Sequence, residues 1–157
     1  MIAGFVKLIL RNIIIMTSGN KILIADDEPD ILEIIEFNLQ AQGYDVTTAK
    51  NGDEAFEKAK QVKPDLIILD IMMPGKNGIE VCKMLRMIPA FKQTLIVFLT
   101  ALSDETTEIK GLETGADDYL TKPISPKVLV SKINALFRRL NKEETGIIKI
   151  GDMQIKH

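Results

Sequence analysis

The sequence predicts an α/β domain: a five-stranded parallel sheet covered by helices on both faces. Three observations carry this reading. The runs Ile22-Leu23-Ile24-Ala25, Leu66-Ile67-Ile68-Leu69 and Leu95-Ile96-Val97-Phe98-Leu99 are continuously apolar, as strands buried on both faces must be. Stretches with apolar residues three and four apart separate them, the spacing of a helix with one buried side. The connections are short, which suits repeated strand–helix–strand units.

Taken in order, Lys21–Ala25 is the first strand. Asp27-Glu28-Pro29 then opens a helix, with Pro29 in the first turn, where its missing N–H costs nothing. Ile31, Leu32, Ile35 and Leu39 form its apolar side, and Gly43 is the expected stop. Asp45–Ala49 is the second strand. Asn51-Gly52-Asp53 turns into a helix bearing Ala55, Phe56 and Ala59, which ends before Pro64. Leu66–Leu69 is the third strand, followed by a loop over Met73–Gly78 and a helix through Arg86. Leu95–Leu99 is the fourth strand, and Ser103-Asp104-Glu105 resembles a helix start. Gly111 and Gly115 make that helix short or loosely held. The fifth strand is Asp118–Thr121. Ser125 caps the last helix, with Pro126 at its first position and a buried stripe of Leu129, Ile133, Leu136, Phe137 and Leu140.

Composition excludes several functions. The 157 residues suit one domain with a modest excess at each end, and 46% hydrophobic with 27% charged residues is too apolar for disorder. A net charge of −2 gives no electrostatic footprint for nucleic acid. The single cysteine, Cys82, rules out an internal disulfide and fits a reducing, cytoplasmic compartment. On its helix it reads as a small apolar filler. His157 is the only histidine, which leaves no histidine pair for catalysis or metal binding. At the N-terminus, Lys7 and Arg11 interrupt an Ile- and Leu-rich stretch, so no membrane span of about 20 apolar residues forms. A helix there would put both charges on one face, a weak membrane-surface pattern. The simpler reading takes Met16 as the working start and assigns no function to residues 1–16.

Chemistry concentrates at strand ends. The first strand ends in Asp26-Asp27, the third in Asp70, the fourth in Thr100 and the fifth in Lys122-Pro123. In open α/β sheets this rim is where ligands bind. Each element alone has an ordinary explanation as a helix cap, a strand end or a turn, but the four together define a site. Three ionised carboxylates close together repel unless a cation intervenes. A hard divalent ion with oxygen ligands, Mg²⁺, fits such a set, and one with open positions serves phosphate. Lys122 adds a positive charge for the same anion, and the Thr100 hydroxyl a hydrogen-bond donor. A carboxylate can itself accept a phosphoryl group. Asp70, alone at the central strand's end, is the candidate nucleophile, with Asp26 and Asp27 as the metal-holding pair.

These residues resemble the receiver domain of bacterial two-component response regulators over about Lys21 to Leu140. The matching pieces are Ile22–Glu28, Leu69–Gly75 with Gly78, Leu99-Thr100-Ala101 and Asp117–Pro123. The resemblance implies a flavodoxin-like sheet of order 2-1-3-4-5. It also implies that Asp70 takes a phosphoryl group from a phosphohistidine on a sensor histidine kinase. Mg²⁺ would be held by Asp27, Asp70 and the Met72 carbonyl, with Asp26 reaching it through water. Lys122 would pair with the phosphoryl group before a cis Lys122–Pro123 bond. Thr100 would shift toward the phosphoryl oxygen and Tyr119 swing into the space it leaves. Without the family pattern, Tyr119 reads as a half-buried strand aromatic. Such a domain is no enzyme; it assists only its own phosphorylation and dephosphorylation.

The stretch Lys110–Tyr119, with Ser125-Pro126-Lys127 and Arg138-Arg139, resembles the subfamily with winged-helix DNA-binding outputs. That implies a homodimer on phosphorylation, through charged pairs on the helix before the last strand, that strand and the last helix. Candidates are Lys110, Glu113, Asp117, Asp118, Lys132 and Arg138. Val128 stands where the subfamily has an acidic residue facing Lys110, so that pair would be lost. As surface charges, all six also fit a solvated face. Ile147–Ile150 and Met153–Ile155 read as two short strands. The expected organisation is an N-terminal extension over 1–19, a receiver domain over 20–140, and a linker with the truncated start of an effector domain over 141–157. DNA would then be reached only through the missing effector. Two other readings compete. One is a stand-alone receiver acting through protein–protein contacts. The other is a phosphatase of the haloacid dehalogenase type, which the lone Asp after the third rather than the first strand disfavours.

Overall fold

The computed structural model describes residues 3–7, 19–101 and 113–156, with side chains as far as residue 141. Residues 3–7 form an exposed helical turn. The domain then alternates β1 (Lys21–Ala25), α1 (Pro29–Ala41), β2 (Asp45–Ala49), α2 (Gly52–Val62), β3 (Leu66–Asp70), α3 (Gly78–Arg86), a 3₁₀ turn (Pro89–Phe91), β4 (Leu95–Ala101), β5 (Asp118–Lys122) and α4 (Pro126–Lys156). All strand pairings are parallel and the sheet order is β2-β1-β3-β4-β5. The predicted class and order both hold. The helix expected from Ser103 lies outside the described residues, as does Gly111.

Every residue of β3 is buried, because helices cover both faces of this central strand. One face packs Leu23, Ala25, Ile67, Leu69, Ile96 and Phe98 against Ala55 and Ala59 of α2 and Val81, Cys82 and Leu85 of α3. The other packs Ile22, Ile24, Ile68, Val97 and Leu99 against Leu32, Ile35 and Leu39 of α1 and the predicted α4 stripe of Leu129, Ile133, Leu136 and Phe137. Each fully buried Leu or Ile contributes roughly 1.5–3 kcal/mol. Together these two layers fix the rim on which the strand ends stand.

Local chemistry sets the helix starts. Asn51 and Asn77 are extended N-caps whose side chains accept the backbone N–H of Glu54 at 2.8 Å and of Glu80 at 2.9 Å. The Ser125 hydroxyl meets the Val128 N–H at 3.5 Å. The C-terminal strands expected at Ile147–Ile150 and Met153–Ile155 are corrected: α4 runs unbroken through Lys156. A two-stranded ribbon is marginal on its own, whereas a helix satisfies its backbone groups within the segment. No helix among the described residues is long and apolar enough to cross a membrane.

Candidate functional site

Register builds the site. Ala25 pairs with Leu69 across β1 and β3, so the next residues, Asp26 and Asp70, emerge at one level. Asp70 in turn pairs with Leu99, and Thr100 follows it. At the edge, Ala101 pairs with Lys122. The sheet thus delivers acid, acid, hydroxyl and amine to one rim.

The carboxylates of Asp26, Asp27 and Asp70 offer oxygens that all lie within 4.8 Å of one another. Asp26 and Asp70 are buried, and Asp27 is exposed. Lys122 Nζ stands 2.9 Å from Asp26 Oδ2, 3.3 Å from Asp70 Oδ2 and 3.5 Å from Glu28 Oε1. The remaining oxygens meet the backbone: the Glu28 N–H donates to Asp26 Oδ1 at 2.9 Å and the Met72 N–H to Asp70 Oδ1 at 3.2 Å. Burial, and next the Asp26 charge, push the Asp70 carboxyl up to about 7 against the pull of Lys122 and the Met72 N–H. Burial works to lower the Lys122 pKa, but the Asp26 and Asp70 carboxylates outweigh it and hold the ammonium above its ordinary range.

One atom is short of a partner. Asp26 Oδ2 is buried and makes no well-aligned hydrogen bond among the described residues, although the Lys122 ammonium stands 2.9 Å away. A buried carboxylate oxygen with lone pairs to spare beside that ammonium, inside a cluster of three acids, fits a hard cation and its waters. Asp26, Asp27 and Asp70 are therefore able to hold a divalent cation such as Mg²⁺, and Asp27 lines an open cleft of about 390 Å³ with Met72, Met73, Pro74, Gly75 and Asn77.

The loop from β3 to α3 is held close by its glycines. A Cβ on Gly78 would overlap the Asp70 carbonyl oxygen, and one on Gly52 would overlap the Lys76 carbonyl. Gly75 has φ +74°, which favours glycine. Lys76 pairs with Asp53 at the start of α2. The Lys122–Pro123 peptide is cis, as expected.

The remaining candidates divide. Thr100 is buried and its hydroxyl donates to the Ala101 carbonyl at 2.9 Å. Tyr119 is half-buried against the Phe98 side of the core. Of the dimer candidates, Lys110 lies outside the described residues, while Glu113 and Arg138 are exposed. Asp117 is engaged within the molecule: its Oδ2 accepts the Ile96 N–H at 2.8 Å and Arg86 Nη2 at 3.1 Å. Lys132 and Asp118 pair at 3.4 Å. Sequence reasoning missed Glu28 beside Lys122, although it directly follows the acid pair. It also missed Arg86, which donates to the carbonyls of Phe91, Thr94 and Gly115. Those partners are backbone carbonyls, so no side-chain pattern announces them.

Comparison with known proteins agrees with this geometry. A family model described as the response regulator receiver domain matches residues 22–134. The alkaline phosphatase synthesis transcriptional regulatory protein PhoP of Bacillus subtilis is 46% identical over 150 residues, covering 87% of this chain and 60% of that protein. The DNA-binding response regulator MtrA of Mycolicibacterium smegmatis is 40% identical over 139 residues, covering 88% of this chain and 60% of its own length. The chain thus spans about 60% of the length of these curated relatives. Among solved structures, the chemotaxis response regulator CheY4 of Vibrio cholerae superposes with a TM-score of 0.71 at 35% identity, covering 74% of this chain and 97% of that one.

Proposed function

The chain belongs to the response regulator receiver family, and on that footing we propose that it is a phosphoacceptor switch with Asp70 as the acceptor. The observation that carries this is the cluster of three carboxylates within 4.8 Å, with the Lys122 ammonium 3.3 Å from Asp70. The donor is a phosphohistidine on a sensor histidine kinase in the cytoplasm. An Asp70 carboxylate oxygen forms the new P–O bond as the donor's P–N bond breaks, and the imidazole nitrogen leaves with the electron pair.

Asp27, Asp70 and the Met72 carbonyl would hold Mg²⁺ directly, with Asp26 acting through water. When bound, that ion neutralises the acid cluster and steadies a phosphoryl oxygen. Lys122 already spans Asp26 and Asp70, so it is placed to pair with the incoming phosphoryl group. Thr100 turns its hydroxyl from the Ala101 carbonyl toward that group, and Tyr119 follows inward. Glu113, Arg138, Asp118 and Lys132, with Lys110, then serve a homodimer interface. Asp117, whose Oδ2 is engaged by Arg86 and the Ile96 N–H, would join it through Oδ1. We assign the DNA-binding output of the matched relatives to a domain outside the stretch they share with this chain, with residues 141–156, the continuation of α4, leading toward it.

Intact-mass measurement after incubation with acetyl phosphate and Mg²⁺ tests the reading. One added phosphoryl group that requires Mg²⁺ and disappears in Asp70→Asn supports it. A wild-type protein that gains no mass overturns it.

A further inference from the structure

Tyr119 is held by groups outside the carboxylate cluster. It lies on β5, the edge of the sheet, where no strand among the described residues meets its outer side. Its N–H donates to Asp118 Oδ1 at 2.8 Å, and its carbonyl accepts from Lys132 Nζ at 2.9 Å. The same Nζ lies 3.4 Å from Asp118 Oδ1 and 5.1 Å from the centre of the Tyr119 ring. Lys132 comes from α4, whose neighbouring Leu129 and Ile133 pack on the opposite face of the sheet from Tyr119. Its stem therefore wraps the sheet edge to reach a residue on the far side.

We propose that Lys132 is a positioning residue for the switch: with Asp118 it clamps Tyr119 in its half-buried place. A contact that draws either charge away, above all a charged pair with a second copy of the chain, frees the ring. This rests on the phosphoacceptor reading above. An ammonium has three N–H donors, and here it faces a carbonyl, a carboxylate and an aromatic ring. Clamping and pairing across an interface are thus alternatives for Lys132 and Asp118. Linkage makes that reciprocal: whatever favours dimerisation favours release of Tyr119, and release favours the dimer. Thr100 is tied in by register. It pairs with Thr121, two residues beyond Tyr119 on the same face, which makes Tyr119 and Thr100 diagonal neighbours.

The chain has two tyrosines and no tryptophan, so Tyr44→Phe leaves Tyr119 as the only emitter while keeping a ring stacked on Phe137. Acrylamide quenching then reports how accessible the Tyr119 ring is. In unphosphorylated protein, Lys132→Met is expected to move the quenching constant at least halfway to that of the acetyl-phosphate-treated parent. Lys132→Arg stays near the parent, and Asp118→Asn, which opens the clamp from its other side, moves the same way as Lys132→Met. An unmoved constant in both Lys132→Met and Asp118→Asn overturns the clamp even when the parent takes up phosphate. A parent without mass gain overturns the phosphoacceptor reading instead. The clamp is then decided by whether Lys132→Met and Asp118→Asn alone change quenching at least twofold.

Discussion

Asp70 carries the sharpest conflict in the protein. Burial and the neighbouring Asp26 charge raise its pKa from 3.8 to about 7, so folding favours the protonated acid. The stability this group contributes is therefore full below about pH 4 and is lost as pH rises through about 7. Above that, the metal-free fold holds an ionised carboxylate where it repels another. Asp70→Asn removes the charge and keeps the shape, while Lys122 retains Asp26 and Glu28 as partners. Each pKa unit is worth about 1.4 kcal/mol, and partial screening reduces the total. In the presence of EDTA, urea unfolding is expected to show Asp70→Asn gaining on the wild type by on the order of 1–2 kcal/mol between pH 5 and pH 8. An equal difference at the two pH values would place the conflict elsewhere. The same ionised oxygen is the proposed nucleophile, so the strain and the proposed reactivity have one origin.

The loop between β3 and α3 shows what a sequence displays and what it hides. Gly78 sits at the start of α3, where many residues are tolerated, and nothing local demands glycine. The demand comes from the Asp70 carbonyl, which the returning chain passes too closely for a Cβ, whose distance to the carbonyl carbon would be 3.0 Å. Gly78→Ala is expected to cost about 1–3 kcal/mol. It should also push the Met72 segment outward and weaken Mg²⁺ binding several-fold, read by urea unfolding and by an Mg²⁺ titration. Wild-type values in both would show that the loop yields freely. Strands announced themselves because double-sided burial makes them continuously apolar, and the rim residues because acids, hydroxyl and amine fall together at four strand ends. Arg86 was invisible, since most of its partners are backbone carbonyls and the one carboxylate, Asp117, lies 31 residues away. The segment from Ile147 misled for a related reason: β-branched residues favour strands only where a sheet receives them, and here α4 continues.

At the level of the folded domain, the −2 net charge conceals an uneven distribution. Three carboxylates share one end of the sheet within 4.8 Å, and unfolding scatters them. A cation that binds the cluster therefore binds the folded state and raises its stability by RT ln(1 + [L]/Kd). For a dissociation constant on the order of 1 mM, 10 mM Mg²⁺ adds about 1.4 kcal/mol, which shifts the melting temperature by roughly 3–6 °C in a domain of this size. Acid opposes the shift, because below about pH 7 the raised Asp70 carboxyl holds a proton that the cation must displace. Melting curves at matched ionic strength should show the full rise at pH 8 and a much smaller one at pH 5. Asp27→Asn, which removes an exposed carboxylate without touching the core, should lose most of the rise at pH 8. A rise of equal size at both pH values and in the variant would mark a general salt effect and leave the carboxylate cluster without a cation. Together with the gain expected from Asp70→Asn in EDTA, a rise confined to pH 8 and to intact Asp27 would mean that one local repulsion accounts for both metal binding and the instability it relieves.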